Sequence, residues 1–251
     1  MIIEKIGSLL GDLHTVRAIC IPPCFQIGEH KRQSEVSNEY RILSKILRVG
    51  DVLVSRSWGY LSNSLIKGAF KHAMVYTGPV SGHRTSEGFV KEPKLLPSGF
   101  GIHQTFSPRT ITHAISEGVV CQDLLDVMLH CDYLAVFRPC LLKQCIEDCG
   151  NIIAYSALEK VGKPYDFGFD FSHHGKFSCT EMVNYCCKKA GLAIPPQIYA
   201  RTPIKKRKVT FADHYFGLYP LVYVSPQCLD VNFVRKSSRP NALLTAMRMV
   251  K

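Results

Sequence analysis

Eleven cysteines and ten histidines give this 251-residue chain ample material for thiol chemistry. What matters is which thiol sits where it can become a nucleophile. The segment Lys176-Phe-Ser-Cys-Thr-Glu-Met-Val-Asn-Tyr-Cys-Cys187 is the most informative. Ser178 followed three residues later by Glu181 reads as a capping box, which makes Ser178 the N-cap of a helix and Cys179 its first residue. There the unpaired backbone N–H groups and the helix dipole favour a thiolate over a thiol. Met182, Val183, Cys186 and Ala190 repeat at helical spacing and supply a buried face, and Gly191 stands where a C′ glycine belongs. The plain alternative is that Cys179 is one more small buried residue, like Cys186 and Cys187 deeper along the same helix.

A nucleophilic thiol needs a base and a group to orient that base. His72 opens a strand, His72-Ala-Met-Val-Tyr-Thr77, so His72, Met74 and Tyr76 share one face. His113 begins a second strand-like run, with Ile115 and Glu117 on its face. If the two strands are neighbours, they bring His72 and His113 together and aim both at the helix of Cys179. Each histidine taken singly is as well explained by a surface or satisfied core position.

The elements that must hold these residues follow from periodicity. Residues 36–48 suit an amphipathic helix. Gly50-Asp51 turns the chain into a short strand, Val52-Leu53-Val54-Ser55. Residues 58–70 read as helical, and the strand of His72 is expected to end at Gly78-Pro79. Residues 79–109, rich in Gly, Pro and Ser, read as a long loop or lid. Strand character returns over 111–120, a short helix over 122–129, and a strand over 132–138. A long helix is expected over 141–161, stopped by Gly162-Lys163-Pro164, then the Cys179 helix over 179–190 and a last strand at Leu221–Val224. The predicted class is α+β, an antiparallel sheet packed against helices on one side. The organisation is an N-terminal helical extension over 1–47, a catalytic domain over 48–225, and a basic tail over 226–251.

Several of these residues resemble the NlpC-type papain-like hydrolases. Gly50-Asp51-Val-Leu-Val, Lys71-His72-Ala-Met-Val-Tyr-Thr-Gly78 and Thr112-His113-Ala114 are similar to the histidine half of that family. Val161-Gly162-Lys-Pro164-Tyr165 and Ser178-Cys179-Thr-Glu-Met-Val183 are similar to the cysteine half. Here the cysteine half comes second, the order of the circularly permuted branch that includes the YiiX/YaeF-like proteins and the lecithin:retinol acyltransferase relatives. The resemblance covers residues 48–190, and the WGYLSN, SEGVV and PYDFGFDF segments look most like the YiiX branch. It implies a circularly permuted papain-like fold with Cys179 as nucleophile, His72 as base, His113 as the orienting residue and Tyr165 as a group polarising the substrate carbonyl. YiiX-like members tend to carry Glu at the third position; this chain has His113 there, with Glu117 as the fallback. The backbone N–H of Cys179 would be the other oxyanion donor.

The implied function is a cysteine-dependent amide hydrolase, a peptidase or an amidase of the cell-wall peptide kind. One alternative is an acyltransferase or lipase-like thiol enzyme on lipid or lipidated substrates. Another is a non-catalytic particle or assembly component on the same scaffold. The rest of the composition narrows little further. Apolar residues at 46% and charged residues at 20% are ordinary globular values. No run of eighteen apolar residues and no basic-then-apolar leader is present, so neither a membrane span nor a secretory signal is expected. The scattered cysteines suggest no disulfide framework, so a cytoplasmic or other reducing compartment is expected, with carriage in a larger particle or another export route left open. Cys20-Ile-Pro-Pro-Cys24 lacks a second ligand pair, so no metal is expected, nor any cofactor. The net charge of +11 suggests an acidic partner or anionic surface, met through Lys205, Lys206, Arg207 and Lys208 in a solvated loop. No aromatic-interleaved basic motif accompanies that run, so a nucleic acid is not expected as a specific ligand.

Overall fold

The residues Val52-Leu53-Val54-Ser55 are buried at every position, and that continuous apolar run belongs to a strand covered on both faces. In the computed structural model this strand, β1 (Val52–Arg56), lies inside an antiparallel sheet. The structure describes residues 32–57, 68–86, 88–95, 107–142, 145–172, 174–201, 206–229 and 240–249. The other strands of the sheet are β2 (His72–Arg84), β3 (Val90–Leu95), β4 (Ser107–Ile115), β5 (Gly118–Asp123), β6 (Tyr133–Phe137) and β9 (Leu221–Val224). Their order is β5-β4-β2-β1-β6-β9, with β3 paired to β2.

One face of the sheet, with Val52, Val54, Ala73, Val75 and Ala135, packs on α3 (Ile146–Leu158) and α4 (Cys179–Lys189). The other face, with Leu53, Met74, Tyr76, Ile111 and Val136, packs on α1 (Arg32–Ile46) and α2 (Leu124–Leu129). The sheet therefore carries helices on both faces, not on one as expected. The family-like Gly50-Asp51 pair has a structural use. Arg138 donates from Nε and Nη2 to the two oxygens of the buried Asp51 at 2.9 and 2.8 Å, and the Arg48 N–H donates to Oδ2 at 2.8 Å. Burial still pushes the Asp51 carboxyl up, more than the Arg138 guanidinium lowers it.

Four expectations need correction. First, β2 does not end at Gly78-Pro79. It runs on to Arg84 and pairs with β3, because Gly78 takes φ +76° and lets the strand pass through a bulge. Only residues 96–106 and position 87 of the supposed loop 79–109 lie outside the described residues. Second, the basic run is not a solvated loop. Lys206–Val209 is β8, paired with β7 (Ile198–Arg201), and Arg207 forms an ion pair with Asp170 at 2.7 Å. Lys206 and Lys208 remain exposed, Lys208 above the Tyr199 ring, while Lys205 is outside the described residues. Third, the C-terminal segment contains a helix, α5 (Pro240–Met249), whose Leu243 is fully buried. Fourth, Cys140 and Cys149, among the scattered cysteines for which no disulfide framework is expected, form a disulfide that ties Pro139–Leu142 to α3. Cys20, Cys24 and residues 58–67 of the expected second helix lie outside the described residues. Among the described residues no helix is long and apolar enough to cross a membrane.

Candidate active site

Cys179 is the first residue of α4, behind Ser178 in extended conformation (φ −83°, ψ 166°), and the Ser178 N–H donates to Glu181 Oε2 at 3.1 Å. The Glu181 half of the expected capping box therefore forms. Two chain segments hold the helix start in place. Thr180 Oγ1 donates to the Thr210 carbonyl at 2.8 Å, and Asn184 Nδ2 donates to Thr210 Oγ1 at 2.9 Å. Tyr215 OH donates to Asn184 Oδ1 at 2.9 Å. The Val161-Gly162-Lys163-Pro164 turn docks on the β4–β5 hairpin: the Val119 N–H donates to the Lys163 carbonyl and the Gly162 N–H to the Val119 carbonyl, both at 2.8 Å. Phe177 N–H then donates to Pro164 O, and Asp166 N–H to Phe177 O, both at 3.0 Å. That pairing lays Tyr165 alongside the residues leading into Cys179.

His72 is the first residue of β2. Asp213, fully buried, fixes the approach to that strand by accepting the N–H groups of Ala69 at 3.0 Å and Phe70 at 2.8 Å. Gly68, at φ +103°, leaves room for the carboxylate, since a Cβ there would stand 2.8 Å from it. β2 and β4 are neighbours, with Met74 opposite His113. His72 Nε2 and His113 Nδ1 are 2.9 Å apart, with the ring planes inclined at 63°. On the far side, His113 Nε2 lies 2.7 Å from Gln122 Oε1 on β5.

α4 packs on β2 and β4, which sets the Cys179 thiol against the backbone of Ala73, the residue after His72. The backbone N–H groups of Ala73, Thr180 and Cys179 itself reach the sulfur and favour its thiolate, while the Glu181 carboxyl nearby opposes it. Burial outweighs the amides, and the thiol is pushed up, not down as the helix start alone predicts. His72 is pushed down to about 3 by burial and by His113 beside it. His113 is pushed down to about 4 by burial, against the hydrogen bond to Gln122. At neutral pH the thiol and both imidazoles are uncharged. Burial and the neighbouring Cys179 push the Tyr165 phenol well up, so it is a hydrogen-bond donor throughout the physiological range.

The structure thus pairs His72 with His113, sets Cys179 against the Ala73 backbone and near Tyr165, and leaves Glu117 out. Glu117 is exposed in the Ser116–Glu117 turn and accepts from Ser116 Oγ at 2.7 Å, because β4 ends at Ile115 before the chain reaches it. Gln122 and Asp213 were missed from sequence. Gln122 was within reach: a two-residue turn at Ser116–Glu117 sets Val120 opposite His113 and Gln122 opposite Ile111, which makes Gln122 a diagonal neighbour of His113 on the same face. Asp213 gave no local signal. Among the described residues no group of three or more His, Cys, Asp or Glu side chains converges as a metal site.

Comparison with known proteins finds two similarities. The model of the permuted papain-like amidase enzymes, YaeF/YiiX, C92 family, matches residues 46–210. The crystal structure of the metalloprotein yiiX from Escherichia coli O157:H7 is similar over 71% of this chain and 97% of that chain, with 16% identity and a TM-score of 0.48. No curated protein matches the chain.

Proposed function

The chain belongs to the permuted papain-like amidase family, YaeF/YiiX, C92, and on that premise we propose that it hydrolyses an amide bond through a thioester on Cys179. His72 is the base, His113 orients it, and Tyr165 with the Cys179 N–H stabilises the oxyanion. The observation that carries this reading is the 2.9 Å contact between His72 Nε2 and His113 Nδ1, made beside a thiol that meets the N–H of the residue following His72.

The chemistry follows from the protonation states. Because the thiol is held up and His72 is held down, the resting pair is neutral. Proton transfer from sulfur to His72 Nδ1 then accompanies attack on the substrate carbonyl, and does not precede it. The carbonyl electrons move onto oxygen, where the Cys179 N–H and the Tyr165 hydroxyl receive them. Collapse of this adduct breaks the C–N bond, and His72 returns its proton to the leaving amine. Water, deprotonated by His72, attacks the thioester and releases the acid and the free thiol.

Incubation with a panel of acyl-amide and peptide substrates, followed by intact-mass measurement after acid quench, tests the proposal. Wild type is expected to gain the mass of the acyl group minus one proton, mapped to Cys179, and to release acid and amine in equal amounts. Cys179→Ala and His72→Ala are expected to lose turnover by at least about a thousandfold. Turnover that survives Cys179→Ala, or an acyl group mapped to another cysteine, overturns it. Appearance of the acyl group on an added amine or alcohol in place of water marks transfer, not hydrolysis.

A further inference from the structure

We propose that Gln122 is a positioning residue that sets the proton arrangement of the whole row, so that His72 presents a bare Nδ1 to Cys179. The inference rests on the catalytic reading above, and it concerns a residue to which that reading gives no part.

The need arises from having histidine as the third member. A carboxylate in that place can only accept a hydrogen bond, so the tautomer of the base is fixed. A neutral imidazole can do either, according to which nitrogen carries its proton. If His113 carries it on Nε2, Nδ1 is bare and accepts the Nε2–H of His72. The His72 proton then stays on Nε2, and Nδ1 is free to take a proton from sulfur. If His113 carries it on Nδ1, that N–H points at His72 Nε2, the His72 proton moves to Nδ1, and the base faces the thiol as a donor. The second arrangement cannot start the reaction.

Gln122 selects between them. Its Oε1, an acceptor, lies 2.7 Å from His113 Nε2 and 2.9 Å separates the next pair, His113 Nδ1 and His72 Nε2. An acceptor at Oε1 requires the proton on His113 Nε2, and the rest of the row follows. The direction is the same at each step: His72 donates to His113, and His113 donates to Gln122. When His72 takes the thiol proton, its Nε2–H is still accepted by His113 Nδ1, and the single ring proton of His113 is engaged with Gln122 Oε1. The backbone of Gln122 is held on two sides, by β4 opposite Ile111 and by a bridge to Phe89, so the side chain starts from a fixed base. His113 is 5% exposed, leaving little solvent to settle its tautomer otherwise.

The test uses the full chain labelled with ¹⁵N at histidine. Long-range ¹H–¹⁵N spectra of wild type, Gln122→Met and Gln122→Glu are compared, with His113→Asn to assign the His113 signals. In wild type His113 is expected to show a bare Nδ1 and a protonated Nε2; Gln122→Met is expected to show both tautomers. Gln122→Glu keeps an acceptor at the same place and is expected to restore the wild-type pattern. In turnover, Gln122→Met is expected to lower kcat by about tenfold to a hundredfold with KM little changed, and Gln122→Glu to recover most of it. A wild-type His113 with its proton on Nδ1 overturns the proposal, as does Gln122→Met with an unaltered His113 tautomer and kcat. These spectra do not depend on turnover. A protein whose activity survives Cys179→Ala but whose His113 has the assigned tautomer would lose the catalytic reading and keep this one.

Discussion

Glu181 serves the helix start and works against the thiol two residues before it. As the N3 residue it accepts the Ser178 N–H, yet burial, with Asp166 and Asp170 nearby, pushes it up to about 8. Between the ordinary glutamate value of about 4.3 and about 8, the folded protein holds a proton here that the unfolded chain has released. Stability therefore falls as pH rises through that window, and above it the folded state carries a buried charge. Glu181→Gln keeps the acceptor for the cap and removes the charge. Thermal melts should show little change at pH 4.5 and a rise on the order of 5 °C at pH 9; equal shifts at both would contradict this account. The same variant should form the Cys179 thiolate at lower pH, since Glu181 is one of the groups opposing it, and iodoacetamide rates across pH report that directly once exposed Cys145 is replaced by serine. Cys179 was legible as a candidate because a capping box is local, and His72 and His113 because strand alternation is local. It misjudged the thiol's charge state, since a helix start says nothing about how deeply the first residue is buried.

At the scale of elements, the crossing of α3 over the Val49-Gly50 turn decides where β1 lies, and it is made by two glycines. A Cβ on Gly50 would stand 2.4 Å from the Gly150 Cα, and a Cβ on Gly150 would stand 2.2 Å from the Val49 carbonyl oxygen. Gly50 also takes φ +86°, where other residues are strained. Gly150 lies inside a helix, where alanine would be preferred by up to about 1 kcal/mol on backbone grounds alone. The contact outweighs that gain, because both colliding groups are backbone and neither can swing aside. Gly150→Ala is expected to destabilise by about 1–3 kcal/mol in urea unfolding; a stabilised variant would mean that α3 is free to slide. Most elements were legible, including α1, β1, β6, α4 and β9, because each shows its period within its own residues. The continuation of β2 through Gly78-Pro79 was not, since a glycine that permits a bulge looks the same in sequence as one that ends a strand. Helices on both sides of the sheet were equally hidden: the apolar run of β1 was visible, but not which helices cover it.

For the molecule as a whole, the pair of buried imidazoles makes folding sensitive to acid. His72 and His113 are depressed to about 3 and about 4, while in the unfolded chain both take up protons near pH 6.5. The folded form stays neutral over the interval between, so their contribution is fully present above about pH 6.5 and is lost as pH falls toward about 4. Each can steepen the loss by at most about 1.4 kcal/mol per pH unit. Unfolding midpoints measured from pH 7 to 4 should decline, and His113→Asn should flatten the decline; an unchanged slope would mean that His113 is already charged in the folded state. The permuted order has a consequence in time as well as in space. Strands β1 to β6, with His72, His113 and Gln122 among them, leave the ribosome before the residues of α4 are made. At about 5–20 residues per second, the two histidines are made seconds ahead of Cys179. A newborn chain thus holds both histidines while Cys179 is still unsynthesised, and that thiol emerges only when the strands its helix packs on have already been made.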